Sequence, residues 1–161
     1  MKKLNLYLLA ILTIVAFSCS DDDGDGTPVA ESGKIAFIVD GEEKSFDGSV
    51  SYFSGSNSTN ISADGTGGLS ISLDDVGPDD EITFNLQDPE DNDRVSITYS
   101  DGDGNDGTAF YTNSAVSSTE GQVVITNYTD SEISGEFNAL IQNAFAEEIN
   151  VQGSFTDLNV E

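Results

Sequence analysis

The chain has no histidine and no tryptophan, a single cysteine, and five basic residues against 30 acidic ones in 161. Each scarcity removes a class of function. Without histidine, and with the one cysteine at position 19, neither Ser-His-Asp nor Cys-His nucleophilic machinery can be assembled, nor the usual zinc ligand sets. A formal charge of −25 repels polyanions, so nucleic acid is excluded as a partner and direct binding to anionic lipid is disfavoured. Carboxylate-pair glycoside hydrolysis needs a sizeable cleft, for which tryptophan platforms are absent. With acids this abundant, any chosen pair of them is uninformative. The sequence therefore reads as a non-enzyme.

What is present at the start of the chain is more specific. Lys2 and Lys3 precede an apolar run from Leu4 to Phe17 broken only by Asn5 and Thr13, the charged and hydrophobic regions of an export signal. The run is shorter than the roughly 20 apolar residues a membrane-spanning helix needs. Ala16-Phe17-Ser18-Cys19 resembles the lipobox of bacterial lipoproteins, with Ala16 and Phe17 where Leu and a small residue are usual. Ala16-x-Ser18 also satisfies ordinary signal-peptidase cleavage after Ser18. Lipidation gives a purpose to a cysteine that has no disulfide partner, so the reading is a signal peptide at 1–18 and a lipid on Cys19. Cleavage removes Lys2 and Lys3, leaves Lys34, Lys44 and Arg94, and makes the mature chain two charges more negative than −25.

Ser20-Asp21-Asp22-Asp23, directly behind the cysteine, resembles the acidic export tag of surface-exposed lipoproteins of the Bacteroidota. The resemblance implies an outer-membrane lipoprotein at the cell surface, with the periplasmic face as the alternative. Its partners would be the membrane, through the lipid anchor, and the lipoprotein processing and export machinery. A protein or glycan partner is not identified. Read from charge alone, the same run is a solvated spacer. Residues 19–33 contain almost nothing to bury and read as a flexible tether, so one folded domain is expected over 34–161.

Within that domain apolar residues recur at period two, as in strands with one buried face. Ile35, Phe37 and Val39 form one such run; Leu69, Ile71 and Leu73 another; Ile82, Phe84 and Leu86 a third. Val95-Ile97-Tyr99, Val123-Ile125, Ile133 to Ile141 and Ile149 to Phe155 repeat it. Asp-Gly turns at Asp40-Gly41, Asp64-Gly65, Asp101-Gly102 and Asp106-Gly107 punctuate the runs. About eight to ten short strands predict an antiparallel two-sheet β-sandwich, with a closed β-barrel as the alternative. Residues 143–148 read as the loop of a long C-terminal hairpin. Gly135-Glu136-Phe137 followed by Gly153-Ser154-Phe155, with Ala36 to Gly41 as an opening strand, resembles small β-sandwich lipoproteins of the Bacteroidota, for which no activity is established.

The most suggestive chemistry lies in Asp101-Gly102-Asp103-Gly104-Asn105-Asp106-Gly107. Oxygen ligands at alternate positions separated by glycines are how calcium loops are built, so Asp101, Asp103, Asn105 and Asp106 are candidate ligands. The loop is not an EF-hand: Asp106 takes the place of the sixth-position glycine and Thr112 that of the twelfth-position glutamate. A solvated hairpin turn is the plainer reading. No other cofactor is indicated. Tyr52, Phe53, Tyr99, Phe110, Tyr111 and Tyr128 could stack sugars if they pointed outward together, but alternating runs more often place such residues in the core. The function expected is a lipid-anchored, non-catalytic structural, adhesive or accessory module, with a calcium-dependent or glycan-binding module as the alternative.

Overall fold

The computed structural model describes residues 26–65, 68–80, 82–102, 109–112 and 120–161. The signal segment, Cys19 and the Ser20 to Asp23 run lie outside the described residues. Among those described, the chain is almost entirely strand: β1 (Lys34–Val39), β2 (Glu42–Phe53), β3 (Ser58–Asp64), β4 (Leu69–Asp74), β5 (Thr83–Asn85), β6 (Val95–Ser100), β7 (Ala109–Tyr111), β8 (Gly121–Tyr128), β9 (Glu132–Gln142) and β10 (Glu148–Asn159). One short helix, α1 (Pro89–Asn92), interrupts them. No helix of the described residues is long and apolar enough to cross a membrane.

The fold is all-β and closes as an eight-strand antiparallel barrel, the second of the two expected architectures, in place of a two-sheet sandwich. Closure has a definite cause. The strands follow the order β10-β1-β2-β3-β4-β6-β7-β9, and β9 pairs back onto β10 along nearly its whole length. No edge is left between the first strand and the last, so the sheet cannot separate into two layers. Register shifts between Phe155 and Leu158 and between Ile125 and Asn127 supply local bends that help such closure.

β9 is shared three ways. One side pairs with β10; the other pairs with β8 over Ile133–Ala139 and with β7 at Gln142, which lies opposite Tyr111. β8 in turn carries β5, so part of the wall is built from these two strands. The junction between β5 and β6 is spanned by α1 and Arg94. Arg94 donates from Nε to the Asp74 carbonyl (3.3 Å) and from Nη2 to that of Asp75 (2.9 Å), and its guanidinium lies 5.1 Å from the Phe84 ring centre. Asp88 caps α1 by accepting from the Glu90 amide at 3.0 Å, and Pro89 opens the helix.

Side chains fill the barrel. Phe37, Ile61, Ile71, Ile97, Phe137 and Phe155 are fully buried within one continuous cluster. Phe37 on β1 meets Tyr99 on β6 edge-on, ring centres 6.1 Å apart, across the barrel from wall to wall. An eight-strand barrel is just wide enough for side chains to close its interior, and this one is closed that way.

The end formed by the β2–β3 turn, the β4–β5 connection and the β8–β9 turn is plugged. Thr59, buried on β3, donates its hydroxyl proton to the Val76 carbonyl (2.9 Å), which leaves Tyr128 to donate to Thr59 at 2.7 Å. Burial holds the Tyr128 phenol above its ordinary value near 10; the hydrogen bond with Thr59 opposes this rise, and Tyr52 and Asp80 add to it. The neutral phenol is thus favoured in the fold. Its stabilisation is complete below the unfolded-state value and is lost as pH rises through the higher folded-state value. Denaturation midpoints of Tyr128→Phe and wild type at pH 8, 10 and 11 should therefore converge with rising pH. The variant starts about 1 kcal/mol lower for the lost hydrogen bond. Parallel declines would remove Tyr128 from the alkaline transition.

Candidate functional site at the open mouth of the barrel

The opposite end gathers the β1–β2 and β9–β10 turns, the end of β3 and start of β4, and the end of β6 and start of β7. Asp40 (φ 51°) and Gly41 (φ 78°) both take the left-handed conformation of a tight hairpin turn, so β2 starts directly opposite Val39. This brings Asp40, Glu42 and Lys44 to face Tyr99, Asp101 and Phe110 from the other side of the barrel, around a cavity of about 370 Å³. Val39 and Ile149 complete its lining. The floor is apolar and buried, while the rim is charged.

Lys44 Nζ lies 3.4 Å from Glu42 Oε2, an ion pair in which Glu42 is largely exposed, so solvent screens it. Burial raises the Tyr99 phenol above its ordinary value. Lys44 opposes this rise, and the carboxylates of Asp101, Asp40 and Glu42 add to it. Tyr99 is consequently a neutral hydroxyl in a negative field. The mouth offers oxygen acceptors, one paired ammonium and two aromatic rings. Among the described residues that line it there is no serine, threonine or cysteine.

Of the candidate calcium ligands, Asp101 stands on this rim, whereas Asp103, Asn105 and Asp106 lie outside the described residues. Among the described residues no group of three or more acidic, cysteine or histidine side chains is placed to hold a metal ion. Asp88, Glu90, Asp91 and Asp93 surround α1 at the far end of β6 from Asp101, as their positions in the sequence imply. Asp40 and Glu42 were not singled out by sequence reasoning. Asp40-Gly41 was legible as a turn, but its place opposite Asp101 depends on strand order.

The aromatic residues do not form one platform. Tyr99 and Phe110 sit buried at the mouth; Tyr128 is buried at the plugged end, where Tyr52 packs edge-on against it at 6.4 Å and Phe53 is exposed. The β9–β10 turn also presents one ring to solvent. Buried Asn143 accepts from the amides of Phe145 (2.9 Å) and Glu147 (3.0 Å), fixing a turn from which Phe145 projects.

Compared with protein-family models, curated proteins and solved structures, the chain matches none.

Proposed function

We propose that the protein is a lipid-anchored module of the outer membrane, displayed at the cell surface, with a structural, adhesive or accessory role and no catalytic one. The observation that carries the non-catalytic part is the filled interior. Phe37 and Tyr99 meet across the barrel, so its centre is core and leaves no deep cleft among the described residues, and the carboxylates of Asp40, Glu42 and Asp101 stand on the charged rim of the mouth. The anchored part rests on the sequence at Lys2 to Asp23, above all on Cys19 behind an export signal. A strongly acidic barrel has no electrostatic attraction to anionic lipid, which leaves the acyl chains as its hold on the membrane.

The test is Cys19→Ser in the full chain. The variant should move from the membrane fraction to the soluble fraction, and protease shaving of intact cells should remove the wild-type barrel. Continued membrane association of the variant would overturn the anchor. Protection of the wild type in intact, but not permeabilised, cells would move it to the periplasmic face.

A further inference from the structure

The segment before β1 is bound to the barrel as a narrow strap. Pro28 and Ala30 are buried while Thr27, Val29 and Glu31 are exposed, the alternation of a strand laid on a surface. One side chain holds it. The Ser154 hydroxyl, 6% exposed on β10, accepts from the Ala30 amide (2.8 Å) and donates to the Pro28 carbonyl (2.8 Å), so both its functions are used. Ser32 bridges Thr156 in parallel, the Gly33 amide donates to the Thr156 carbonyl at 2.7 Å, and Gly33 (φ 78°) turns the chain back into β1.

Beneath the strap the wall loses its alternation. Ile35, Ala36 and Phe37 are buried in succession, as are Gly153, Ser154 and Phe155, and Ala36 lies opposite Ser154. Small residues occupy the outward positions where the strap crosses. Its hold is nevertheless slight. Only Pro28 and Ala30 are buried, Val29 is 89% exposed, and a cavity of about 250 Å³ separates the strap from Thr126, Ser134 and Glu136 on the neighbouring strands. A segment with so few apolar contacts opens at far lower free energy than the strands under it.

We propose that the strap is a releasable limit on how far the barrel stands from the lipid surface to which Cys19 is attached; this rests on the lipid-anchored reading above. With the strap bound, the chain between Cys19 and the first residue held on β10, Pro28, can span at most ~30 Å. With the strap released, the chain between Cys19 and Lys34 can span at most ~50 Å. Ser154 is the pin.

Two variants unpin the strap without entering the core. Ser154→Ala leaves the Ala30 amide without its acceptor, and Ala30→Asp puts a carboxylate where a buried methyl sits. Hydrogen exchange of the mature chain should show the Ala30 and Gly33 amides exchanging about 10- to 100-fold faster in both variants, with the β9 amides unchanged. The lipidated chain, labelled at Glu43→Cys and reconstituted in phosphatidylcholine vesicles carrying an acceptor dye, should then show lower energy transfer in both variants than in wild type. Exchange of the strap only together with β9 would make it part of the barrel core and overturn the proposal. Faster exchange with unchanged energy transfer would overturn its control of reach. Wild-type chain found in the soluble fraction would sink the anchor, and the limit on reach with it, while leaving the exchange result intact.

Discussion

Alanine at Gly153 should lower the stability of the barrel by about 3 kcal/mol, seen as a drop of about 10 °C in Tm and a lower urea midpoint at unchanged slope. The effect is large because one methyl group has nowhere to go. A Cβ at this position would lie 2.3 Å from the Ala36 carbonyl oxygen, 2.6 Å from Phe37 Cβ and 2.8 Å from Phe137 Cζ. The first two belong to the paired β1 backbone and its immediate substituent, which cannot swing aside as a side-chain tip can. Gly153 is paired with Phe37 on one side and Phe137 on the other, so the alanine would be wedged into a row of aromatic rings. Gly55 provides the control: it lies in the β2–β3 turn with open space around its Cα, and Gly55→Ala should stay within about 0.5 kcal/mol of wild type. Equal effects at the two glycines would mean that the row relaxes freely.

That row explains a pattern the sequence displays without giving its reason. Gly135-x-Phe137 and Gly153-x-Phe155 are legible as paired motifs, and in register each glycine faces the other strand's phenylalanine: Gly153 opposite Phe137, Phe155 opposite Gly135. Each ring fills space that its partner leaves empty. The alternating runs on β1, β4, β5, β6 and β8 were legible for a similar reason, since each carries large apolar residues at every second position. β2 was not. Its outward residues Ser45, Asp47, Ser49 and Ser51 are regular, but Lys44 and Gly48 stand among its other-face positions and leave Phe46 and Val50 too sparse to mark a strand. β3 has only Ile61 as a large apolar residue between Thr59 and Ala63.

Helix α1 was missed although its signal, an Asp cap before Pro89 and two acids, is in the sequence. The strap could not be read from composition. Pro28 and Ala30 are too small to announce burial, and the serine that holds them is 126 and 124 residues away. The candidate site was legible only as one loop. Asp101 was visible as a turn residue, but its meeting with Asp40 and Glu42 is a product of closure, which period-two patterning leaves open between sandwich and barrel.

Phe137→Ala should cost about 4 kcal/mol, a large share of the roughly 5–15 kcal/mol that holds a domain of this size together. Phe137 is fully buried on β9, the strand shared by both routes around the barrel, and lies between Val123 on β8 and Gly153 on β10. A cavity left there cannot be refilled from Gly153, which has no side chain, so the collapse that softens many core truncations is blocked on that side. The double variant Phe137→Ala/Gly153→Ala tests whether ring and glycine share one space. Removing the ring relieves the 2.8 Å conflict but leaves those with the Ala36 carbonyl and Phe37 Cβ. The added alanine should therefore still destabilise Phe137→Ala, but by about 1 kcal/mol less than it destabilises wild type. Urea denaturation of the four proteins measures the difference. Additivity within about 0.5 kcal/mol would assign the whole cost of the alanine to β1 and leave Gly153 and Phe137 as neighbours without a shared volume.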